Sequence, residues 1–362
     1  MNILIYNWRD IKNPDAGGAE VFTHEIARRL VDNGHNITWF TAKFSGCQKE
    51  EIVDGIKIIR DGNRYTVYLK AREYYKKYFS KQGFDVIIDE INTIPFFTPK
   101  FVNNGEKIVV LIHQLAREFW FYETKFPINY LGRYFFEDRW LKSYVDIPTM
   151  TVSESTKKDL VDLGFKNISI IPEGINFKPL DCVGEKEKDP TFIFVGRLKK
   201  AKLPDHAIRA FNIVKKEIPN AKLWVVGNGY YKKELEEMAG DGVTFFGSVD
   251  GNKKLELMSK TWAILVPGVR EGWGLVVTEA NAMGTPAIGY NVPGLRDSIK
   301  DGCTGFLCDP NCESMAKNCI KFLNGDKEHI FKNGLISSRF FDWDASTEKF
   351  LQTLKISCGE YL

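Results

Sequence analysis

The chain has 362 residues, which suggests about two domains at roughly 150 residues each. Lys and Arg total 50 and Asp and Glu total 47, so the net charge is +3. This balance argues against a dedicated nucleic-acid-binding protein, and no nucleic-acid partner is expected. Apolar residues make up 44% of the chain and charged residues 27%, which excludes a mainly disordered protein.

The N-terminus predicts a first strand rather than a targeting segment. Its apolar run at residues 3–6 is too short for a signal peptide, and no apolar stretch reaches the ~18 residues of a membrane span. We therefore expect a cytoplasmic protein with free thiols at its seven cysteines. Four of them fall within residues 303–319 without forming a CxxC pair, so no metal site is expected there.

Short β-branched runs alternate with helical patterns, which is typical of parallel sheets flanked by helices. Candidate strands are 2–6, 37–41, 56–60, 85–89, 107–112, 148–152 and 168–171, and then 191–195, 222–226, 243–246, 262–266 and 286–289. The pattern restarts after a polar stretch with proline at both of its ends, Pro179 and Pro190. We predict an α/β fold of two Rossmann-like domains whose parallel sheets face a deep cleft, with domains at 1–175 and 191–340 and a linker at 176–190.

The first candidate site is a glycine loop. Gly17 and Gly18 follow strand 2–6 and precede a helix with apolar residues at a 3.6-residue period. Paired glycines at a helix N-terminus allow backbone N–H groups to approach an anion, and the helix dipole favours the anion. A tight turn without a ligand is the alternative.

A basic pair follows strand 191–195. Arg197 leaves the carboxyl end of the strand, and Lys202 lies just before a helix that we expect to begin near Pro204. A forked guanidinium and a point-like ammonium at one helix N-terminus suit a diphosphate. The alternative is a solvated basic loop.

Two glutamates follow strand 262–266. Glu271 lies in a loop with three nearby glycines, and Glu279 lies in the early turns of a helix predicted to start near Leu275. Eight residues separate the two glutamates, which is at most ~12 Å along a continuous helix. Glycosidases use two carboxylates roughly 5–9.5 Å apart, so these two glutamates do not match that acid–base pair. Carboxylates bind vicinal hydroxyls well, so these two suit the two ends of a nucleotide sugar. For Glu279 alone, a surface position on the helix is the alternative.

The segment from Glu271 to Glu279 resembles the E-x7-E motif of retaining glycosyltransferases of family 4, which have the GT-B fold. Further segments resemble family motifs in the same order: 7–10 with 17–20, 152–160, 171–176, and 195–198 with Lys202. The resemblance covers nearly the whole chain and implies that a C-terminal helix, 341–362, packs back on the first domain. Two residues depart from the family pattern: Leu203 replaces a glycine and Asn176 replaces an aspartate.

The resemblance also implies roles for individual residues. Arg197 and Lys202 would hold the donor diphosphate, Glu271 the donor sugar and Glu279 the ribose hydroxyls. His113, at the end of strand 107–112, would lie near the reacting sugar and act through hydrogen bonding. Backbone groups would complete the donor site at Gly17, Gly18, Gly272, Trp273, Gly274 and Leu275. The expected catalytic set is His113, Arg197, Lys202 and Glu271.

The implied reaction moves a hexose or N-acetylhexosamine with retention from a GDP- or UDP-sugar to a hydroxyl of a saccharide or lipid-linked acceptor. The family is thought to use a front-face route, in which the leaving diphosphate helps to deprotonate the acceptor. No Asp-x-Asp motif is apparent, so we expect no required metal and no cofactor beyond the donor. A GT-B epimerase, a phosphorylase and a non-catalytic sugar-nucleotide-binding homologue are the alternatives.

Two further stretches concern the acceptor. Residues 117–140 hold ten aromatic residues, and we expect most of them to be core residues of a long helical segment, while others stack on sugars or meet a membrane. Residues 57–81 hold eight basic residues against Asp61 and Glu73. This stretch predicts contact with anionic lipid or a lipid-linked diphosphate at the inner face of the membrane. A solvated helix face is the alternative.

Overall fold

The computed structural model describes residues 1–359, and the chain divides into two compact units. The first unit comprises residues 1–117, 130–174 and 342–359. The second unit comprises residues 118–129 and 175–341. Each unit is built on its own sheet, which confirms the predicted α/β class with two parallel-sheet domains.

The first sheet has eight strands within the described residues, in the order β3-β4-β2-β1-β5-β6-β7-β8. The strands are β1 (Asn2–Tyr6), β2 (Asn36–Thr41), β3 (Glu50–Val53), β4 (Ile56–Arg60), β5 (Val86–Glu90), β6 (Lys107–Leu111), β7 (Thr149–Thr151) and β8 (Ile168–Ile170). All neighbours pair in parallel except β3 and β4. The helices of this half of the chain are α1 (Gly18–Asp32), α2 (Val67–Lys77), α3 (Phe119–Glu123), α4 (Ile128–Leu131), α5 (Glu137–Leu141) and α6 (Glu154–Asp162).

The second sheet, again within residues 1–359, has six parallel strands in the order β11-β10-β9-β12-β13-β14. They are β9 (Thr191–Val195), β10 (Lys222–Val226), β11 (Val243–Gly247), β12 (Ala263–Val266), β13 (Ala287–Tyr290) and β14 (Gly305–Cys308). Counted from β9, this is the 3-2-1-4-5-6 order of a Rossmann sheet, and its strand order reverses between β9 and β12. The helices are α7 (Pro204–Glu217), α8 (Lys232–Met238), α9 (Gly251–Lys260), α10 (Leu275–Ala282), α11 (Leu295–Ser298), α12 (Cys312–Asn324) and α13 (Lys327–Ser338).

The last helix, α14 (Trp343–Cys358), belongs to the first unit. The buried ring of Trp343 lies edge-on to Phe22 of α1, with 5.6 Å between ring centroids. Gly174 makes this packing possible, because a Cβ at that position would lie 2.6 Å from the indole and from the Trp343 backbone nitrogen. A larger residue at position 174 would therefore displace α14.

Two strands are missing from the sequence prediction, and both have weak local signals. Strand β3 begins with Glu50 and Glu51, and glutamate is depleted in strands. It forms the antiparallel edge of the first sheet, where exposure on one side tolerates charge. Strand β14 is four residues long and begins with Gly305, which leaves little pattern to detect.

Residues 118–129 were predicted as part of the N-terminal domain, but the structure groups them with the second unit. The Glu118 carboxylate accepts a hydrogen bond from Arg270 Nε at 2.8 Å. Glu123 accepts hydrogen bonds from the Ala201 backbone N–H and from the Tyr230 hydroxyl, both at 3.3 Å. The predicted boundary is wrong here because these contacts join residues far apart in sequence.

The predicted linker, 176–190, is not a free connection, since its backbone and side chains bond to the second unit. The Leu180 N–H donates to the Ala282 carbonyl at 3.0 Å. Lys186 Nζ donates to the Ser259 carbonyl at 2.9 Å and to Thr285 Oγ1 at 2.8 Å. Pro and charged residues gave the stretch the composition of a linker, whereas tertiary hydrogen bonds fix its position.

Lys186 gives this docked segment a measurable pH dependence. Burial lowers the pKa of its ammonium to about 7, because the acceptors that it contacts are neutral. The folded state therefore binds fewer protons than the unfolded state between about pH 7 and the ordinary lysine value, so stability rises with pH in that range. Compared with Lys186→Met, the wild-type protein is expected to gain up to about 1.4 kcal/mol per pH unit in its free energy of unfolding. Urea denaturation from pH 7 to pH 9 measures this gain. Lys188→Met, at an exposed position two residues away, is the control. Equal slopes for Lys186→Met and the wild type would contradict the prediction.

The expectation for the aromatic residues of 117–140 is also wrong, since most of them are not core residues. Trp120 is buried and Phe119 and Trp140 are half-buried. The other seven are exposed in the described chain: Phe121, Tyr122, Phe126, Tyr130, Tyr134, Phe135 and Phe136. The segment is broken into α3, α4, a π-helical turn at Gly132–Phe136 and α5, so it does not form the long helix that would bury a continuous aromatic stripe.

Arg60 must be removed from the predicted basic surface of 57–81. Its side chain is fully buried and forms a bidentate pair with Asp10, at 2.7 and 3.0 Å. The guanidinium also donates to Glu51 at 2.9 Å. The charge of Arg60 is thus neutralised inside the first unit. The Arg60 side chain links strand β4 to the loop that follows β1 and to the edge strand β3. Among residues 1–359, no helix is long and apolar enough to cross a membrane.

Candidate active site

Two of the predicted site residues of the second unit, Lys202 and Glu271, meet where the strand order reverses. The loop after β9 carries Lys202 and the loop after β12 carries Glu271. Lys202 Nζ lies 2.5 and 2.7 Å from the two carboxylate oxygens of Glu271. The loops are also joined by their backbones, since the Val269 N–H donates to the Ala201 carbonyl at 3.1 Å. Ligands of open parallel sheets bind at this position, outside the carboxyl ends of the strands.

Leu203 takes a left-handed conformation, with φ of 50°, directly after Lys202. Such a φ is unusual for a residue with a side chain and is easily adopted by glycine. The residue that replaces the family's glycine therefore has a backbone conformation that glycine adopts easily. Leu203 is buried against the core of the second unit, and burial of its side chain offsets the backbone strain. Pro204 then begins α7, as predicted.

Two glycines after β10 allow the Arg197 loop to lie close to the neighbouring loop. A Cβ on Gly227 would lie 1.9 Å from the Gly196 carbonyl oxygen, and Gly227 has a φ of +135°. A Cβ on Gly229 would lie 2.3 Å from the Leu198 carbonyl oxygen. Only glycine fits these contacts, so the half-buried Arg197 lies between two residues of fixed backbone position. Sequence reasoning missed both glycines because their role depends on packing between loops.

The Glu271 backbone is fixed in the same way. Its N–H donates to the Pro293 carbonyl at 3.1 Å. Gly294, with a φ of +83°, approaches so closely that a Cβ there would lie 2.1 Å from the Glu271 carbonyl oxygen. These two contacts fix the position of the Glu271 backbone.

Helix α10 begins at Leu275, as predicted, after Gly274 with a φ of +94°. The predicted backbone contacts at residues 272–275 therefore lie at the N-terminal end of this helix, where N–H groups lack intrahelical partners. Trp273 is anchored by its indole N–H, which donates to Thr278 Oγ1 at 2.9 Å. This arrangement positions amide donors beside Glu271.

Glu279 has its own cation, because Lys254 Nζ of α9 lies 2.7 Å from its Oε1. The two predicted carboxylates therefore each pair with a separate lysine. Since α10 starts four residues after Glu271, the two side chains are not on one continuous helix. Lys254 was not predicted, and its position on α9 gives no local signal.

In the first unit, His113 lies two residues after β6 and is buried among carboxylates. Its Nε2 is 3.5 Å from Glu90 Oε1, and its Nδ1 is 4.0 Å from Glu173 Oε1. Glu90 also accepts a hydrogen bond from Thr23 at 2.7 Å. Glu90 ends β5 and Glu173 follows β8, so three strands deliver these groups to one edge of the sheet.

Burial dominates the electrostatics of this cluster. It raises the pKa of Glu90, and it raises the pKa of Glu173 to about 7. Burial alone would lower the pKa of His113, but the neighbouring Glu90 and Glu173 carboxylates raise it overall. Glu173 Oε2, His113 Nε2 and Glu90 Oε1 are buried without a hydrogen-bond partner among the described residues. Burial therefore favours the protonated forms of both acids.

The glycine loop precedes α1 in the same unit. The Gly17 N–H donates to Glu20 Oε2 at 2.6 Å, so this amide caps the helix through a side chain of its first turn. Glu20 is buried and also bonds to Arg9 Nε at 3.0 Å. Gly18 is exposed. A ligand would have to displace Glu20 to reach the Gly17 N–H, whereas the same contact does not restrict Gly18.

Two family models match consecutive parts of the chain. Residues 16–178 match Glycosyltransferase Family 4, and residues 181–334 match Glycosyl transferases group 1. The chain belongs to the family 4, group 1 glycosyltransferases. An uncharacterised glycosyltransferase of Methanocaldococcus jannaschii is 28% identical over 99% of the chain and 98% of its own length. Four further curated relatives are matched over only 24 to 50% of their own length.

Solved structures confirm the GT-B fold of this family 4 protein. Sucrose-phosphate synthase from Thermosynechococcus elongatus superposes with a TM-score of 0.80, at 21% identity and 97% coverage of both chains. Anabaena HepE in complex with UDP and glucose superposes with a TM-score of 0.70, at 15% identity, over 98% of this chain and 100% of its own. At these identities the likeness establishes the fold alone.

The structure places the predicted site residues of this family 4 protein in two groups. Arg197, Lys202, Glu271, Gly272, Trp273, Gly274, Leu275 and Glu279 lie in the second unit, and Gly17, Gly18 and His113 lie in the first. Sequence reasoning missed Glu90, Glu173 and Lys254. Glu173 lies inside the motif at 171–176, so its position was visible although its contact with His113 was not. Within residues 1–359, no group of three or more His, Cys, Asp or Glu side chains has an arrangement that could hold a metal ion.

Proposed function

We propose that this chain is a retaining glycosyltransferase that uses a nucleoside-diphosphate sugar, with GDP or UDP as the leaving group. The transferred group is a hexose or N-acetylhexosamine, and the acceptor is a hydroxyl of a saccharide or a lipid-linked saccharide. The contact between Lys202 and Glu271 at the reversal point of the second sheet carries the proposal. It puts a cation for phosphate beside a carboxylate for sugar hydroxyls.

The donor would bind by exchanging these internal contacts for contacts to itself. Lys202 leaves Glu271 for the diphosphate, and Arg197 supports the same phosphates. Glu271 then accepts hydrogen bonds from the sugar, and Glu279 accepts them from the ribose. Amides at 272–275 add donors without a charge, since they precede the first complete turn of α10.

The proposed transfer takes place on one face of the sugar. The bond from the anomeric carbon to the diphosphate oxygen breaks, the acceptor oxygen bonds to the same carbon, and the acceptor proton passes to the departing diphosphate. Arg197 and Lys202 stabilise the negative charge that develops on the leaving group. His113 contributes hydrogen bonding near the reacting sugar. We propose that the reaction requires no metal and takes place in the cytoplasm, at the inner membrane face when the acceptor is lipid-linked.

Thermal shift with UDP, GDP and ADP, each compared with its monophosphate, tests the donor proposal. One diphosphate is expected to raise the melting temperature in the presence of EDTA, by the equivalent of about 2.7 kcal/mol at 100-fold excess over Kd. Its monophosphate should shift the temperature less, because Arg197 and Lys202 would lose one phosphate. If no diphosphate raised the melting temperature, the proposed donor site would be excluded. If EDTA abolished the shift, donor binding would depend on a metal ion.

Product analysis with the sugar of that nucleotide then separates the enzyme classes. The proposed retaining transferase releases the diphosphate in step with glycosylation of the acceptor and keeps the anomeric configuration, which NMR reports. Release of a free epimer, or a requirement for inorganic phosphate, would support an epimerase or a phosphorylase instead.

A further inference from the structure

The proposed donor contacts do not use the side chain of Lys254, which lies on α9. Two residues of this helix, Leu257 and Met258, pack into the same core as α10. They follow Lys254 by three and four positions, so Lys254 lies on the packed side of its helix. Its Nζ lies 2.7 Å from Oε1 of Glu279, and the two side chains are 27% and 22% exposed. The lysine and the glutamate therefore meet between two helices that pack together.

The two pairs of lysine and glutamate in this unit differ in geometry. Lys202 Nζ contacts both carboxylate oxygens of Glu271, so the donor must open that pair in order to bind. Lys254 contacts only one oxygen of Glu279, and among the residues that the structure describes the other oxygen, Oε2, has no hydrogen-bond partner. An ammonium group has three donors, so Lys254 also keeps two of them. The pair of Lys254 and Glu279 can therefore bind a polar ligand without separating.

Glu279 is the charged residue of an otherwise uncharged helix, and its neighbours Thr278 and Ala280 are buried. Neutralisation of its charge is a structural reason for a lysine at this place. A hydroxyl group both donates and accepts a hydrogen bond, so it also fits a free carboxylate oxygen beside unused ammonium donors. The two explanations differ in what they predict for ligand binding.

We propose that Lys254 and Glu279 together bind one hydroxyl of the donor ribose, and that Lys254 thereby selects ribonucleotides over deoxyribonucleotides. The hydroxyl donates to Glu279 Oε2 and accepts from Lys254 Nζ. This inference rests on the proposed function, in which Glu279 binds the ribose, and it adds a second contact to that site. A site built to bond a hydroxyl rejects the analogue that lacks it, because its polar groups lose their partner.

Calorimetric titration of nucleotides measures this selectivity without an acceptor and without catalysis. UDP, GDP and ADP are titrated first, and the one that binds is then compared with its 2′-deoxy and 3′-deoxy forms. The wild-type protein is expected to bind one of the two deoxy forms about tenfold more weakly than the ribonucleotide, since a hydrogen bond to charged groups is lost.

Lys254→Met removes the ammonium and keeps an unbranched apolar side chain. The variant is expected to bind the ribonucleotide about tenfold more weakly and the deoxy form within about threefold of the wild type, so that the selectivity nearly disappears. Lys253→Met is the matched control. Lys253 is the preceding residue and pairs with Glu256 at 2.9 Å on the same helix, so its loss should leave the selectivity unchanged. Melting temperatures without nucleotide verify that both variants are folded.

Each other outcome overturns the inference in a different way. An equal loss for the ribonucleotide and the deoxy forms would show that Lys254 acts on the phosphates or on the fold. Tighter binding of the ribonucleotide by Lys254→Met would show that the lysine competes with the ribose for Glu279. A wild-type protein that binds all three forms equally would remove the ribose contact and leave the donor site in place. If no diphosphate bound, the proposed donor site would fail together with this inference.

Discussion

Replacing Lys202 with alanine is expected to lower kcat about 100- to 1,000-fold and to leave the protein folded. In the absence of donor, Lys202 Nζ contacts the Glu271 carboxylate, and its side chain is partly exposed. Among the described contacts, the Lys202 ammonium is the cation that pairs with Glu271. Its loss would remove the positive charge that stabilises the negative charge developing on the leaving diphosphate. The loop itself is held by backbone bonds from Val269 and by Pro204, which do not depend on the lysine side chain.

Lys200→Ala is the matched control, because Lys200 lies in the same short turn and is exposed. It removes an equal charge two residues away and should keep kcat within about threefold. Steady-state kinetics over a range of donor concentrations separates kcat from KM, and melting temperatures exclude unfolding. Near-normal turnover of Lys202→Ala would remove Lys202 from the proposed site. A loss reproduced in full by Glu271→Gln, with no further loss in the double variant, would show that the two residues act as one unit.

Local signals explain which parts of the second unit were predictable. Proline at the first position of α7 is a strong start signal, and glycine before α10 is a weaker one. Both helices begin where the sequence indicates. The carboxyl ends of strands β9 and β12 were predictable as well, because each strand is a β-branched run and a short loop joins it to one of these helices. The position of Lys202 and Glu271 at neighbouring loops follows from the rule that ligand sites lie at strand carboxyl ends.

Contacts between distant segments were not predictable from one sequence. Glu118 pairs with Arg270, which is 152 residues away in the sequence. This contact is one of those that join residues 118–129, predicted as part of the N-terminal domain, to the second unit. Lys254 pairs with Glu279 from a different helix. Neither pair has a periodicity or a spacing that a sequence could display. The same reason explains the docked linker, whose polar composition indicates exposure although Lys186 is bonded to two neutral acceptors.

The contact between His113 and Glu173 also joins residues far apart in sequence, and we expect it to affect how stability depends on pH. Glu173→Gln is expected to make the protein more stable than the wild type at pH 8 and to change its stability much less at pH 5. Glu173 is 3% exposed, and burial raises its pKa to about 7. The folded state therefore binds a proton more tightly than the unfolded state, and folding stability falls as pH rises from the ordinary carboxyl value through 7.

The difference between wild type and Glu173→Gln is expected to grow by about 2–3 kcal/mol between pH 5 and pH 8. Glu90, Glu20 and Arg9 lie in the same buried cluster, but they are present in both proteins, so their own contributions largely cancel in the difference. The coupling between His113 and Glu173 is lost in the variant and is part of the measured difference. Chemical denaturation at several pH values gives the free energies. Glu348→Gln, an exposed carboxylate of α14 in the same unit, is the control and should follow the wild type at every pH. A constant offset between Glu173→Gln and the wild type would contradict the raised pKa.

A fold that maximised stability would not keep Glu173 there. Glutamine has nearly the same shape and carries no charge, so the acid costs stability at neutral pH without a packing advantage. The carboxylate nonetheless lies 4.0 Å from His113, and a second acid, Glu90, lies 3.5 Å from the other ring nitrogen. Buried acids with raised pKa values beside a histidine are typical of sites that handle protons or orient a donor. If His113 acts near the reacting sugar, Glu173→Gln should therefore combine higher stability at pH 8 with a changed pH profile of kcat, whereas a purely structural role would change the stability alone.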